Sequence, residues 1–221
     1  MKRVVAFSGV GMLLLLSIHT TQNMIADVYA SMSKSAIATN KYSMKSLSDK
    51  KRNQLLGYIE TSRILNPFSS ENLEYFLMLQ QYGFQDTSSK EGLNREQLKE
   101  MYREIISSRP ARVYNWLNFV IFKANIQEFD SEFLKVFKKT KELSEWKRDV
   151  EIELLRVGLI TWYQLDGQAK ALVIDTLEIA LIKQQKSVIN MVKKERANVV
   201  VCANIADQYR KLAQCESALL I

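Results

Sequence analysis

The sequence predicts an all-α protein: an N-terminal transmembrane helix followed by an array of antiparallel helical hairpins. Three observations carry this. Turn formers are scarce, with seven Gly and two Pro in 221 residues, whereas strand-rich folds lean on Gly, Pro and Asn-Gly turns. Apolar residues recur at helical spacing through most of the chain. Two positive charges, Lys2 and Arg3, precede an apolar run from Val4 to Ile18. With 47% hydrophobic and 25% charged residues, the composition is that of a globular chain rather than a disordered one.

Residues 1–30 form the membrane anchor or signal segment. The run from Val4 to Ile18 is shorter than the roughly 20 residues that span a bilayer. No charge intervenes between Arg3 and Asp27, however, and the cluster from Met24 to Ala26 extends the apolar character, so residues 4–26 are the membrane-contacting stretch. Two readings are open. In the first, the segment is an uncleaved single-pass anchor that continues outward as helix. No Gly or Pro occurs between Met12 and Leu56, and Ile18, Ile25, Tyr29 and Met32 recur near helical spacing. In the second, a signal is cleaved after Ala30, at Val28-Tyr29-Ala30, and leaves a soluble periplasmic protein. In either case the positive-inside bias of Lys2 and Arg3 puts the body on the far side of the membrane.

Residues 31–47 read as the tail of the first helix and a linker, and residues 48–196 as the helical domain. Ser48 caps a helix with Leu55, Tyr58, Ile59 and Ser62 on one face, which ends near Asn66 because Pro67 follows. Ser69 or Ser70 caps the next, with Leu73, Phe76 and Leu77 inward, before a loop from Phe84 to Gly92. Asn94 and Gln97 are spaced for a capping box, and Leu98, Met101, Tyr102 and Ile105 follow at helical intervals up to Pro110. Val113, Trp116, Leu117, Val120, Ile121 and Ala124 form one stripe; Phe129, Phe133, Val136, Phe137 and Thr140, capped by Asp130 or Ser131, form its partner. Ser144 is expected to cap a helix carrying Val150, Leu154, Val157 and Thr161. Asp166-Gly167 marks a turn before a helix from Gln168 to Lys183, which buries Leu172, Val173, Leu177, Ala180 and Leu181. A short helix from Ser187, a final helix over 197–214 and a tail to 221 complete the chain.

The two prolines align as a repeat. In each case a helix ends on proline and a large apolar residue follows six positions later: Leu73 after Pro67, Trp116 after Pro110. The prolines are 43 apart, and removing the nine-residue loop 84–92 leaves 34, the tetratricopeptide length. A further 34 positions from Pro110 reach Ser144. At other signature positions Phe119-Val120 replaces Leu-Gly and Lys123 replaces tyrosine, so two or three degenerate tetratricopeptide-like repeats are expected.

The inventory of reactive groups is short. The single histidine, His19, lies in the membrane segment, which leaves none in the body for a base, a triad or a metal site. The glycines are scattered rather than gathered in a phosphate loop. Carboxylates such as Glu151, Glu153, Asp49 and Glu60 read as surface, and Trp116, Trp146 and Trp162 read as packing residues rather than a sugar platform. No catalytic, metal or cofactor-binding residue is predicted, nor an enzyme, and no partner-binding residue is assigned. Cys202 and Cys215 are thirteen positions apart, about 20 Å on one continuous helix, and pair only if that helix breaks. The net charge of +7 is spread out, with local excess at Lys135, Lys138, Lys139 and Lys141 and at Lys193, Lys194 and Arg196. These read as solvated faces or, in the alternative, as a surface for an acidic polysaccharide; no nucleic-acid motif is present.

Across residues 60–195 the chain resembles the VpsP-type polysaccharide-biosynthesis proteins. The likeness rests on Pro110 with Trp116-Leu117-Asn118, the Leu143-to-Trp146 element, the Trp162-Tyr163 pair and the helix LVIDTLEIALIKQQ. Sparse alanines and the missing proline after Trp146 depart from the pattern. The resemblance implies a membrane segment followed by tetratricopeptide-like helices. It also implies a non-enzymatic role at the periplasmic face of the bacterial inner membrane, among proteins that make or export extracellular polysaccharide.

Overall fold

A computed structural model describes residues 2–40, 48–67, 69–83 and 94–215; the side chains of residues 2–11, 38–40 and 81–83, of Leu14 and of Asp49 lie outside it. All the described regular structure is helical: α1 (Lys2–Asn40), α2 (Asp49–Leu65), α3 (Ser70–Gly83), α4 (Arg95–Ser108), α5 (Val113–Asn125), α6 (Ser131–Leu143), α7 (Arg148–Ile160), a 3-10 turn (Trp162–Gln164), α8 (Gly167–Lys194), α9 (Asn198–Asn204) and α10 (Asp207–Arg210). The loop expected over 84–92 and the last residues of the tail fall outside the described residues. Two compact units result, residues 1–108 and 109–221, divided at the Pro110 junction inside the 48–196 span.

In the first unit, α1 lies antiparallel on α2. The register follows from three contacts: Ser62 Oγ donates to the Ala26 carbonyl (2.8 Å), the rings of Tyr58 and Tyr29 lie 6.0 Å apart, and Ser33 Oγ donates to the Leu55 carbonyl (3.2 Å). The buried seam of α1 is Ala26, Ala30, Ser33 and Ile37, spaced at four, three and four residues. Small side chains let the two backbones approach, and the buried hydroxyls satisfy themselves on the opposite carbonyls. Asn72 of α3 extends this network, donating to Ser62 Oγ at 2.7 Å. Leu55, Ile59, Phe76 and Leu79 close the core. The Asn94–Gln97 capping box forms as predicted, with bonds of 2.8 and 3.0 Å. Ser69 caps α3 by accepting from the Asn72 amide.

The second unit has a core richer in phenylalanine, with Phe119, Phe122, Phe133 and Phe137 buried. Helix α5 packs against both α6 and α7, and α7 packs on α8. That double contact explains why α5 buries Asn115, Phe119, Phe122 and Lys123 in addition to the predicted Val113, Leu117 and Val120: a helix between two neighbours has more than one interior face. The α6 stripe is as predicted, with Phe133, Val136, Phe137 and Thr140 buried, and each ring burial contributes about 1.5–3 kcal/mol. Helices α7 and α8 approach closely at Gly158, where a Cβ would lie 2.5 Å from Val173 Cγ2.

Several expectations are corrected here. Ser144 ends α6 rather than starting α7; its hydroxyl donates to the Lys141 carbonyl, and Lys147 takes the N-cap position of α7. The break expected between Lys183 and Ser187 is borne out rather than corrected: Gln184 leaves helical geometry (φ -151°, ψ 49°) and divides α8 into two helical stretches. The final helix over 197–214 is interrupted: α9 stops at Asn204, and Ile205 is extended (ψ 146°). The chain then folds back, so that Cys202 and Cys215 come to a Cα–Cα distance of 5.5 Å and form a disulfide. Trp162 is buried, but Trp146 is 88% exposed, and Trp116 is half-buried with its indole N–H donating to the Pro110 carbonyl (2.9 Å). Trp146 follows the end of α6 in the turn before α7, where no neighbouring layer covers it.

Candidate functional site

The most concentrated chemistry in the described residues is at the α5–α6 turn. The turn closes without glycine: the Gln127 amide donates to the Ala124 carbonyl (3.1 Å) and the Glu128 amide to the Lys123 carbonyl (3.0 Å), with Gln127 in the left-handed region at φ 59°. Asp130 then caps α6 by accepting from the Phe133 amide at 2.8 Å. These two devices aim three carboxylates back at the last turn of α5. There Lys123 Nζ donates to Glu132 at 2.9 Å, Asp130 at 3.0 Å and Glu128 at 3.5 Å, and lies 5.7 Å from the centre of the Phe119 ring. Lys123 is fully buried.

Burial works against the ammonium, but the hydrogen bonds and charges of Glu132 and Asp130 outweigh it and hold the Lys123 pKa above the ordinary lysine value. For Asp130 burial is again outweighed, by the Phe133 amide and Lys123, and its pKa falls below the ordinary carboxylate value. An ammonium held more firmly protonated is neither a nucleophile nor a base at neutral pH. Among the described residues no group of His, Cys, Asp and Glu is placed to hold a metal ion; at this turn the three carboxylates converge on an internal cation. The cluster is an ionic staple. The repeat alignment registered Lys123 only as a departure from tyrosine. The signal for its role was local: three acids at alternate positions just after a lysine-bearing helix.

A second buried ion corrects the sequence reading. Glu151, expected at the surface, is 5% exposed; it accepts from Gln184 Nε2 at 2.6 Å, with Lys183 Nζ at 4.0 Å. It therefore ties α7 to the kink in α8. Glu153 does face outward, paired with Arg156, and Glu60 is exposed, while the Asp49 side chain lies outside the described residues. Asn115, buried in the first turn of α5, leaves both amide atoms without a hydrogen-bond partner. The pocket between α8 and α9 is lined by Leu181, Val188, Ile189, Val192, Val201 and Ala213 with Asn198, and carries no titratable group.

No protein-family model, curated protein or solved structure matches the chain.

Two surfaces remain. The basic clusters are partly paired: Lys139 with Glu142 (3.0 Å), Lys141 with Asp175, and Lys193 with Gln214 (3.2 Å), while Lys135, Lys138, Lys194 and Arg196 are exposed. Helix α1 is more unusual. Met12, Leu13, Leu15, Leu16 and Ile18 are each 51–70% exposed, and His19, also exposed, contacts Asn23 at 3.2 Å. Among the described residues no helix is long and apolar enough to cross a membrane; the side chains of residues 4–11, the first half of the apolar run, lie outside that set.

Proposed function

We propose that this protein is a membrane-anchored, non-enzymatic scaffold of extracellular polysaccharide synthesis or export, which holds a partner protein on its helical surface at the periplasmic face. The observation that carries the reading is the placement of Ala30. It is 1% exposed, in the middle of an unbroken helix, in the seam that docks α1 on α2. Cleavage after Ala30 would sever that helix and remove Ala26, whose carbonyl accepts from Ser62. This favours an N-terminal segment that stays attached over a signal that is removed.

Two further observations support it. The Cys202–Cys215 disulfide suits an oxidising compartment, on the side of the membrane where Lys2 and Arg3 would leave the body. The neighbour pattern of the second unit, with α5 touching both α6 and α7 and α7 stacked on α8, is compatible with a tetratricopeptide-like array, an architecture that presents extended binding surfaces. The polysaccharide assignment comes from the resemblance to VpsP-type proteins.

Mass spectrometry of the mature protein tests the anchor: a chain that retains the residues before Ser31 is expected. A chain beginning at Ser31 sinks it in favour of the soluble alternative that binds an acidic glycan. Affinity purification from solubilised membranes tests the scaffold, and recovery of no glycan-synthesis or export protein counts against it.

A further inference from the structure

The contacts between α1 and α2 fix how far the folded unit stands from the apolar segment. Ala26 pairs with Ser62, Tyr29 with Tyr58 and Ser33 with Leu55. Extending this antiparallel register places Ile64 level with Met24, and Asn66 level with Gln22. The uncharged stretch beginning at Val4 reaches Thr21 after eighteen residues, about 27 Å of helix, and Ile25 after twenty-two, about 33 Å. A bilayer's hydrocarbon core is about 30 Å thick. The helix thus leaves the hydrocarbon at the level where α2 ends, and no linker separates the two, because α1 is unbroken from Lys2 to Asn40.

At that level the first unit carries an apolar side chain that nothing among the described residues covers. Ile64 is 79% exposed and Met24 70%. Both lie beyond the seam, at the end of the α1–α2 pair nearest the apolar segment. Ile64 is followed within three residues by Pro67, also exposed.

We infer that the C-terminal end of α2 around Ile64 is a second membrane contact that rests in the lipid interface beside the anchor. The first unit is then held against the bilayer at a fixed height rather than on a flexible tether. The inference depends on the anchor reading above, and lipid is the occupant because the exposed side chain is level with the point where the apolar helix emerges.

Depth-dependent quenching separates the two ideas. Native cysteines are paired, so a thiol-reactive fluorophore reports only an introduced cysteine. The full chain is reconstituted in phosphatidylcholine–phosphatidylglycerol vesicles with lipids nitroxide-labelled near the headgroup or deep in the acyl chain. The Leu13→Cys probe should be quenched by the deep label, the Ile64→Cys probe by the shallow label, and an Asn53→Cys probe, about 16 Å further along α2, by neither. Quenching at position 13 with none at position 64 leaves the anchor standing and overturns the second contact. No quenching at either position overturns both. A probe at position 64 that is unquenched but cross-links between chains assigns the surface to a second copy instead.

Discussion

The two units hold their helices together by different chemistry. The first does so at the α1–α2 seam with small side chains and hydroxyls: Ala26, Ala30 and Ser33 let α1 lie close on α2, and Ser33 and Ser62 bond directly to the opposite backbone. The second uses phenylalanines with charges buried beside them: Phe119, Phe122, Phe133 and Phe137 fill the core, Lys123 closes the α5–α6 turn, and Glu151 fastens α7 to α8. The first mode depends on shape and fails when a side chain grows. The second depends on pairing and fails when a partner is removed. One end of the chain is therefore predicted to tolerate changes of charge better than changes of size, and the other the reverse.

The sharpest break in that comparison is Lys123→Met. Removing one member of a buried ion pair typically costs about 3–5 kcal/mol. Here Asp130 keeps 52% of its side-chain surface and Glu128 and Glu132 about a quarter each, so water can reach them and the lower end, about 3 kcal/mol, is expected. Denaturant unfolding reads it; a loss under about 1 kcal/mol would show that the staple is ornamental. The pH dependence has two signs. The raised Lys123 pKa adds stability that is present below the unfolded lysine value and lost as pH climbs through the folded one. The lowered Asp130 pKa adds stability that is present above the unfolded carboxylate value and lost as pH falls through the folded one. In the Lys123→Met chain the alkaline loss should disappear, and the acid loss should shrink because only the Phe133 amide remains to favour the charged Asp130.

Next in size is the disulfide. A bridge across a separation of 13 residues constrains the unfolded chain by about 3 kcal/mol. Cys202→Ser with Cys215→Ser should lower the unfolding midpoint, and protease should then cut first near Ile205 and Ala206, where the helix already breaks. Unchanged proteolysis there would mean that the α8–α9 packing alone holds the C-terminal turn.

Ala30→Leu should do to the first unit what Lys123→Met does to the second, at smaller cost. Overpacking a filled seam typically costs about 1–3 kcal/mol. A change of size that the unit absorbs without loss would remove the contrast between the two modes of packing. Ser62→Ala is the companion: it keeps the size and removes one hydroxyl that both donates to the Ala26 carbonyl and accepts from Asn72, for about 1–2 kcal/mol.

This contrast also decides what the sequence could disclose. Large apolar residues at period 3.6 were legible, and so the α4, α6 and α7 faces and the Asn94 and Asp130 caps stand as read. A seam of Ala, Ala and Ser has no hydrophobic signal, so the docking of α1 on α2 was invisible even though the continuity of the helix was not. Glu151 was misread, and Lys123 was passed over as a mere departure from tyrosine, because composition places charged residues outside; only the tertiary partner, Gln184 in one case and three acids in the other, stabilises the buried charge. Ser144 was misread because a serine that bonds back to a carbonyl at a C-terminus has the same letter as one that caps an N-terminus. The break at Ile205 carries no Gly or Pro and shows itself only through the pairing of the cysteines.

The smallest expected effect on stability is at Trp146. Read as a packing residue, it would be worth what a buried aromatic is worth; 88% exposed, its truncation to alanine should change stability by less than about 0.5 kcal/mol. Trp116 sits between the extremes, half-buried with one hydrogen bond to the Pro110 carbonyl, and Trp116→Ala should cost about 1–2 kcal/mol rather than the 3–5 of a core ring. The pair separates folding from binding. A large, uncovered indole beside a turn is the kind of anchor that protein interfaces enrich, so under the scaffold reading Trp146→Ala should leave the unfolding midpoint unchanged and reduce the partner recovered from solubilised membranes. If recovery is unchanged as well, the partner surface lies elsewhere, and the helical face of α5 and α7 becomes the region to scan.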